Sequence, residues 1–347
     1  MKVLYVAMKY DYGKEEQGYS FEHYNFYHSL SHMGHEILYF DFMTLMQKHG
    51  REWMNRRLLE VAKTEKPDLM FTVLFTDELE PGVIREISGS SDTVTLNWFC
   101  DDHWRLDTYS RHWAPCFTWV VTTAKSALPR YDQLGCRNVI KSQWACNHFL
   151  YGKSDLPLEY DVSFVGQPHG NRREIVRALR GAGLDAHVWG TGWESGRLSQ
   201  EEMIGIFSQS RINLNLSNAS VPISTPRLRA RDTARRWLSR FLNVVPFGSQ
   251  LKTTGKHWLS AMGNSVLPAK TRDSLKLASS QYVDQIKGRN FEIPGCGGFL
   301  IAGRAEDLEN YYEIDKEIVC FDDVNDLIEK VRYYLRHEDE RAAIAQA

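Results

Sequence analysis

The chain has 347 residues, 43% of them hydrophobic, and a formal net charge of −2 at pH 7. That length favours two domains with ordinary cores, and the balanced charge excludes a globally basic nucleic-acid binder while leaving room for a local patch. No apolar run approaches 18 residues and a strand pattern begins at Lys2, so no transmembrane span or leader peptide is expected. Six cysteines are scattered singly, which suits reduced thiols in a cytoplasmic protein and argues for no metal site.

Short β-rich runs alternate with helical patterns through the first half: Lys2–Ala7, Glu36–Asp41, Asp68–Phe75, Thr93–Phe99, Phe117–Thr122 and Asn138–Ser142 read as strands. Their apolar runs are nearly continuous, as in strands covered on both faces. Between them lies an amphipathic segment marked by Phe21, Tyr24 and Leu30 that Gly34 closes, and another marked by Trp53, Leu58 and Val61 that stops before Pro67. Strict alternation implies parallel pairing with crossovers, hence a doubly wound α/β sheet whose ligands lie beyond the carboxyl ends of its strands.

Two strand-end loops are unusually polar. Lys9–Ser20 contains Tyr12, Gly13 and Gly18, and Ser20 is placed to cap the next helix. It is not a G-x-G-x-x-G turn, which argues against a dehydrogenase. After the fourth strand come Asp101, Asp102 and His103. These three either supply a general base and orient a sugar hydroxyl, or one aspartate caps the following helix while the histidine is half-buried.

Loop-like text around Tyr151–Glu159 marks a boundary, giving a front domain over 1–152 and a second over 153–325, with a C-terminal helix over 323–347. The alternation restarts with Tyr160–Gly166, a helix to about Arg180, Ala186–Trp189, the turn Gly190–Gly192, a helix from Gln200 to Gln209, and Arg211–Leu216. Gly166 and Arg172 fall at a strand-to-helix turn suited to phosphate, though the arginine also reads as a solvated charge. Between Asn218 and Val283 stand eleven Lys or Arg residues, including Arg229, Arg235 and Arg236, against Asp232 and Asp273. That insertion (about 218–283) reads either as a surface for nucleic acid, an acidic glycan or membrane headgroups, or as a solvated helical hairpin covering the domain.

Asp284–Gly303 packs carboxylates (Asp284, Glu292), cations (Lys287, Arg289) and a Pro-Gly-Cys-Gly-Gly turn into twenty residues, a combination suited to a phosphorylated, hydroxyl-rich ligand. The pattern predicts a helix near Asp284–Asn290, a turn, the strand Gly298–Ala302, a last strand Glu317–Phe321, and a helix capped by Asp323 with its apolar set at period 3.6.

Two such domains, with FVG…R, SRINLNLS and KGRNFEIPGCGGFLI in the second and MKVLYVAMKYDYG and NWFCDDHWR in the first, resemble glycosyltransferases of the two-Rossmann (GT-B) architecture. More narrowly, the chain resembles the group-1 branch that includes spore-maturation (CgeB-like) proteins. The resemblance implies a metal-independent transfer from a nucleotide-diphosphate sugar, with UDP favoured, no other cofactor, and a retaining outcome in members with two acids that have seven residues between them. It carries the ribose-binding role to Glu292 and the sugar-side role to Asp284, an aspartate where glutamate is usual. Lys287, Arg289 and Arg172 become diphosphate cations, joined by backbone around Gly166, Gly190, Gly297 and Gly298. Asp101, Asp102 and His103 become acceptor-side catalytic groups, with Tyr12 and Gly13 on the same side. The acceptor stays open: an anionic polymer such as a glycan or modified DNA met through Arg229, Arg235 and Arg236, or a membrane-surface molecule. A non-catalytic nucleic-acid or membrane-surface binder stands as the alternative from another class.

Overall fold

The computed structural model describes residues 1–216 and 285–347. Asp284 and the basic insertion, with Arg229, Arg235 and Arg236, lie outside the described residues. Eleven described strands form two sheets in which every pairing is parallel. The first sheet contains β1 (Lys2–Val6), β2 (Glu36–Phe40), β3 (Leu69–Thr72), β4 (Val94–Phe99), β5 (Trp119–Thr122) and β6 (Val139–Lys141), in the order β2-β1-β3-β4-β5-β6. The second contains β7 (Tyr160–Val165), β8 (Ala186–Trp189), β9 (Ser210–Asn215), β10 (Leu300–Gly303) and β11 (Val319–Phe321), in the order β11-β10-β9-β7-β8.

Each sheet is covered on both faces, which is why its strands read as unbroken apolar runs. Leu4, Val6 and Met70 face one layer of helices while Val3, Tyr5 and Phe71 face the other. In the second sheet Val162 and Ile301 go to one side, Val165 and Ala302 to the other. The strand order reverses beside β1 in the first sheet and beside β7 in the second. Crevices of this kind open at the carboxyl ends of the strands, so the loops after β1 and β7 are where a ligand is received.

The loop after β1 is closed by its own ends. Ser20 N donates to Lys9 O at 2.9 Å, Ser20 Oγ donates to Met8 O at 2.6 Å, and Tyr10 and Tyr19 form a β-bridge. The same Ser20 Oγ accepts from His23 N at 3.1 Å at the head of the π-helical turn His23–Tyr27, which continues into helix α1 (His28–His32).

One element departs from the sequence reading. The helix expected near Asp284–Asn290 instead runs Arg289–Gly295 (α2), and Pro294 lies inside it. A proline there removes the N–H that would reach Asn290 O, a loss that normally ends a helix. Tyr312 replaces that donor, its hydroxyl bonding Asn290 O at 2.8 Å. At the front of the helix Asn290 Oδ1 accepts from Lys287 N at 3.0 Å, so the preceding residues turn instead of coiling.

Candidate functional site

A cavity of about 380 Å³ opens between the strand ends of the two sheets. Its front wall comes from the loop after β1 and the helix that follows: Asp11, Tyr12, Tyr19, Phe21 and Tyr24. The back wall comes from the ends of β7 and β8, the segment Arg197–Gln200, and Arg289 and Glu292 from α2. Arg197 and Asp11 pair across the two walls.

Glu292 has no exposed surface. One carboxylate oxygen accepts from the Tyr151 hydroxyl and the other from Arg289 Nη1. A buried carboxylate needs such donors, since an unpaired one is strongly disfavoured. Arg289 also reaches Val165 O at 3.3 Å and lies over the Phe207 ring. Burial works against its charge, but the Glu292 carboxylate, with smaller contributions from Tyr151 and Cys296, outweighs that and raises the guanidinium pKa. Burial, and then the same carboxylate, push the Tyr151 phenol far above its ordinary value, so it remains a donor.

Gly166 and Gly190 also line the cavity. A Cβ on Gly190 would fall 2.5 Å from Gly166 O, and its φ is +135°, so only glycine lets these two strand ends touch. Arg172 ties strand ends together. Its Nη1 donates to Gln167 O at 2.7 Å and its Nε to Leu216 O at 2.8 Å, so it binds the ends of β7 and β9 to each other. The Gly297 and Gly298 amides donate to Pro294 O at 2.8 Å and Ile293 O at 3.0 Å, closing α2. Gly13 serves packing too, because a Cβ there would sit 2.2 Å from Met43 Cγ, whereas its neighbour Tyr12 is 46% exposed on the cavity wall.

Asp101, Asp102 and His103 separate in space. Asp101 spends no side-chain bond on capping; its Oδ1 accepts from Gln285 Nε2 at 2.9 Å and Lys287 Nζ at 3.3 Å, joining the two halves. Asp102 is fully buried, with Oδ2 accepting from Tyr131 at 2.8 Å. Burial raises its carboxyl pKa, against the hydroxyls bonded to it, and it lies away from the lining of the cavity. His103 is mostly enclosed, its Nε2 3.8 Å from Glu306 Oε2, and burial lowers its pKa. None of these three, nor Lys287, lines the cavity that holds Glu292.

Three participants had no local signature. Tyr151 sits in the segment joining the sheets, Arg197 in a loop, and Gln285 beside Asp284; only the fold brings them to Glu292, Asp11 and Asp101. Among the described residues no group of three His, Cys, Asp or Glu is arranged to hold a metal ion, and no helix is long and apolar enough to cross a membrane.

Two parallel-sheet α/β halves with a cavity between their strand ends define the two-Rossmann (GT-B) class. Solved structures share this architecture. HepE of Anabaena, in complex with UDP and glucose, superposes with a TM-score of 0.57 at 11% identity, over 99% of this chain and 92% of that one. A glycosyltransferase from Rickettsia africae gives 0.55 at 10% identity, over 99% and 91%. The DNA-modifying β-glucosyltransferase, studied with and without uridine diphosphoglucose, gives 0.53 at 12% identity, over 99% and 93%. No curated protein sequence matches the chain. The chain belongs to the glycosyl transferase-like family, whose model matches residues 172–245 and 235–347. It is a glycosyltransferase, and the non-catalytic alternative falls.

Proposed function

We propose that the protein transfers a sugar from a UDP-sugar, with residues 153–325 holding the donor and residues 1–152 facing the acceptor. The observation that carries this reading is the Glu292 carboxylate, buried at a cavity wall with Arg289 bonded to it. A carboxylate so held accepts from a pair of ribose hydroxyls, while Arg289 on the cavity wall, with Lys287 just outside the lining, meets the charge that grows on the departing diphosphate. Those two cations support transfer without a metal. Asp101, bonded to Lys287, belongs to the side from which the acceptor hydroxyl arrives. Retention rests on the spacing of Asp284 and Glu292 in the sequence. UDP-bound and UDP-glucose-bound neighbours of the same fold support the choice of donor.

Calorimetry with UDP tests the reading. The wild type binds, and Glu292→Ala weakens binding by at least about tenfold, a loss of about 1.4 kcal/mol. Equal binding by the two removes Glu292 from the donor site. A thermal-shift series over UDP-, GDP-, ADP- and dTDP-sugars checks the base, since a ligand of the native state raises apparent stability.

For the acceptor, the eleven basic residues against two acidic ones between Asn218 and Val283 favour an anionic polymer, glycan or DNA. Deleting that insertion is then expected to abolish transfer to polymer while sparing slow donor hydrolysis. Undiminished transfer to polymer sinks this part.

A further inference from the structure

We propose that Tyr151 is a positioning residue of the donor site, holding the Glu292 carboxylate in the orientation that meets the donor ribose; this rests on the donor reading above. Tyr151 is 4% exposed, and its hydroxyl donates to Glu292 Oε1 while Arg289 donates to Oε2. Each carboxylate oxygen can accept a further hydrogen bond beyond the one it has here, and Glu292, though enclosed, stands at the cavity wall where a vicinal diol would bring those donors. With one donor per oxygen the carboxylate plane is defined; with Arg289 alone, the group can turn about its terminal bond, a soft torsion.

The anchor of Tyr151 gives this bond a second consequence. Tyr151 N donates to Asn147 O at 2.9 Å. Asn147, itself buried, donates from its own N to Asn25 Oδ1 at 3.1 Å and from Nδ2 to Tyr24 O at 2.8 Å. Tyr24 lines the front wall of the cavity and Glu292 the back wall. One short segment therefore ties both walls: Asn147 grips the front and Tyr151, four residues on, grips the back. The ribose-facing carboxylate is thereby registered against the opposite wall and not only against its own helix.

Tyr151→Phe keeps the buried ring and removes only the hydroxyl. The probes are UDP and 2′,3′-dideoxyuridine diphosphate, measured by calorimetry. The wild type prefers UDP. In Tyr151→Phe, UDP binding falls on the order of tenfold while the dideoxy analogue binds as before, so the preference shrinks by the same factor. A loss of packing alone would weaken both ligands equally, and that result overturns the proposal, as does an unchanged preference. In a Glu292→Gln background the same substitution is expected to add nothing, and an additive loss also overturns it. If the wild type and all variants fail to bind UDP, the donor reading falls and this inference with it; wild-type binding with an unaltered Tyr151→Phe removes only the role of Tyr151.

Discussion

Asp101 Oδ1 lies 3.3 Å from Lys287 Nζ, and the two residues stand 186 positions apart in the chain. Asp101 follows β4 of the first sheet and Lys287 precedes α2 of the second, so this pair spans the two halves. Both side chains are partly exposed, at 27% and 33%, and such a pair contributes less than about 1 kcal/mol to stability. A cation facing a departing diphosphate, by contrast, is worth about a hundredfold in rate. Lys287→Met is therefore expected to leave the unfolding temperature almost unmoved and to lower kcat about a hundredfold. Matched thermal unfolding and initial-rate measurements check this, and an unaltered kcat refutes the diphosphate role.

Gly298 offers the opposite contrast. A Cβ there would stand 2.8 Å from Asn213 Nδ2 and 2.9 Å from Phe207 O, both buried in the second sheet's interior. Gly298→Ala is expected to cost roughly 1–3 kcal/mol through overpacking, read from urea unfolding. Its UDP affinity stays that of the wild type, because the Gly298 amide is bonded to Ile293 O. Weaker UDP binding in a folded Gly298→Ala protein would return this glycine to the donor site.

The bond from Tyr312 to Asn290 O makes α2 possible with a proline inside it. Tyr312→Phe leaves that carbonyl without its donor, at about 1–3 kcal/mol. Because Glu292 rides on the same helix, UDP affinity is expected to fall as well. Restoring the missing N–H by Pro294→Ala in the Tyr312→Phe background should recover part of the stability, which denaturant midpoints measure.

Acid should weaken the fold through His23. This side chain is buried among Tyr19, Tyr27 and Tyr39, and burial, then His28 and Lys9, depress its pKa from 6.5 to about 4. The folded pKa is the lower one, so the unfolded chain takes up the proton first. Stability is therefore complete above pH 6.5 and declines as pH falls toward 4, by on the order of 3 kcal/mol. His23→Phe should flatten that limb of the profile. An unchanged slope between pH 6.5 and 4 in the variant assigns the acid loss to other groups.

Much of the fold was legible because strands buried on both faces have to be apolar throughout, as Val3–Val6 is. The position of α2 was not legible, since Pro294 signals a helix end unless a hydroxyl from a distant residue supplies the missing bond. Glu292 stood out by its neighbours Arg289 and Lys287 in the chain. Tyr151 had no such mark: it lies 141 positions from its partner, in a stretch that reads as a connection. Adjacent acids were equally opaque. Nothing in the letters of Asp101 and Asp102 says that one turns toward Lys287 and the other toward Tyr131. That difference arises from backbone direction at the end of β4, which only the assembled sheet specifies.

The loop Lys9–Ser20 starts and finishes at nearly the same place, fastened by Ser20 to Met8 and Lys9 and by the Tyr10–Tyr19 bridge. It contributes Tyr12 and Asp11 to the cavity without taking part in the pairing of β1 with β2 and β3. Such an excursion behaves as a cassette. Its tip can change while the sheet beneath keeps its register, so this cavity wall can be reshaped without redesigning the core.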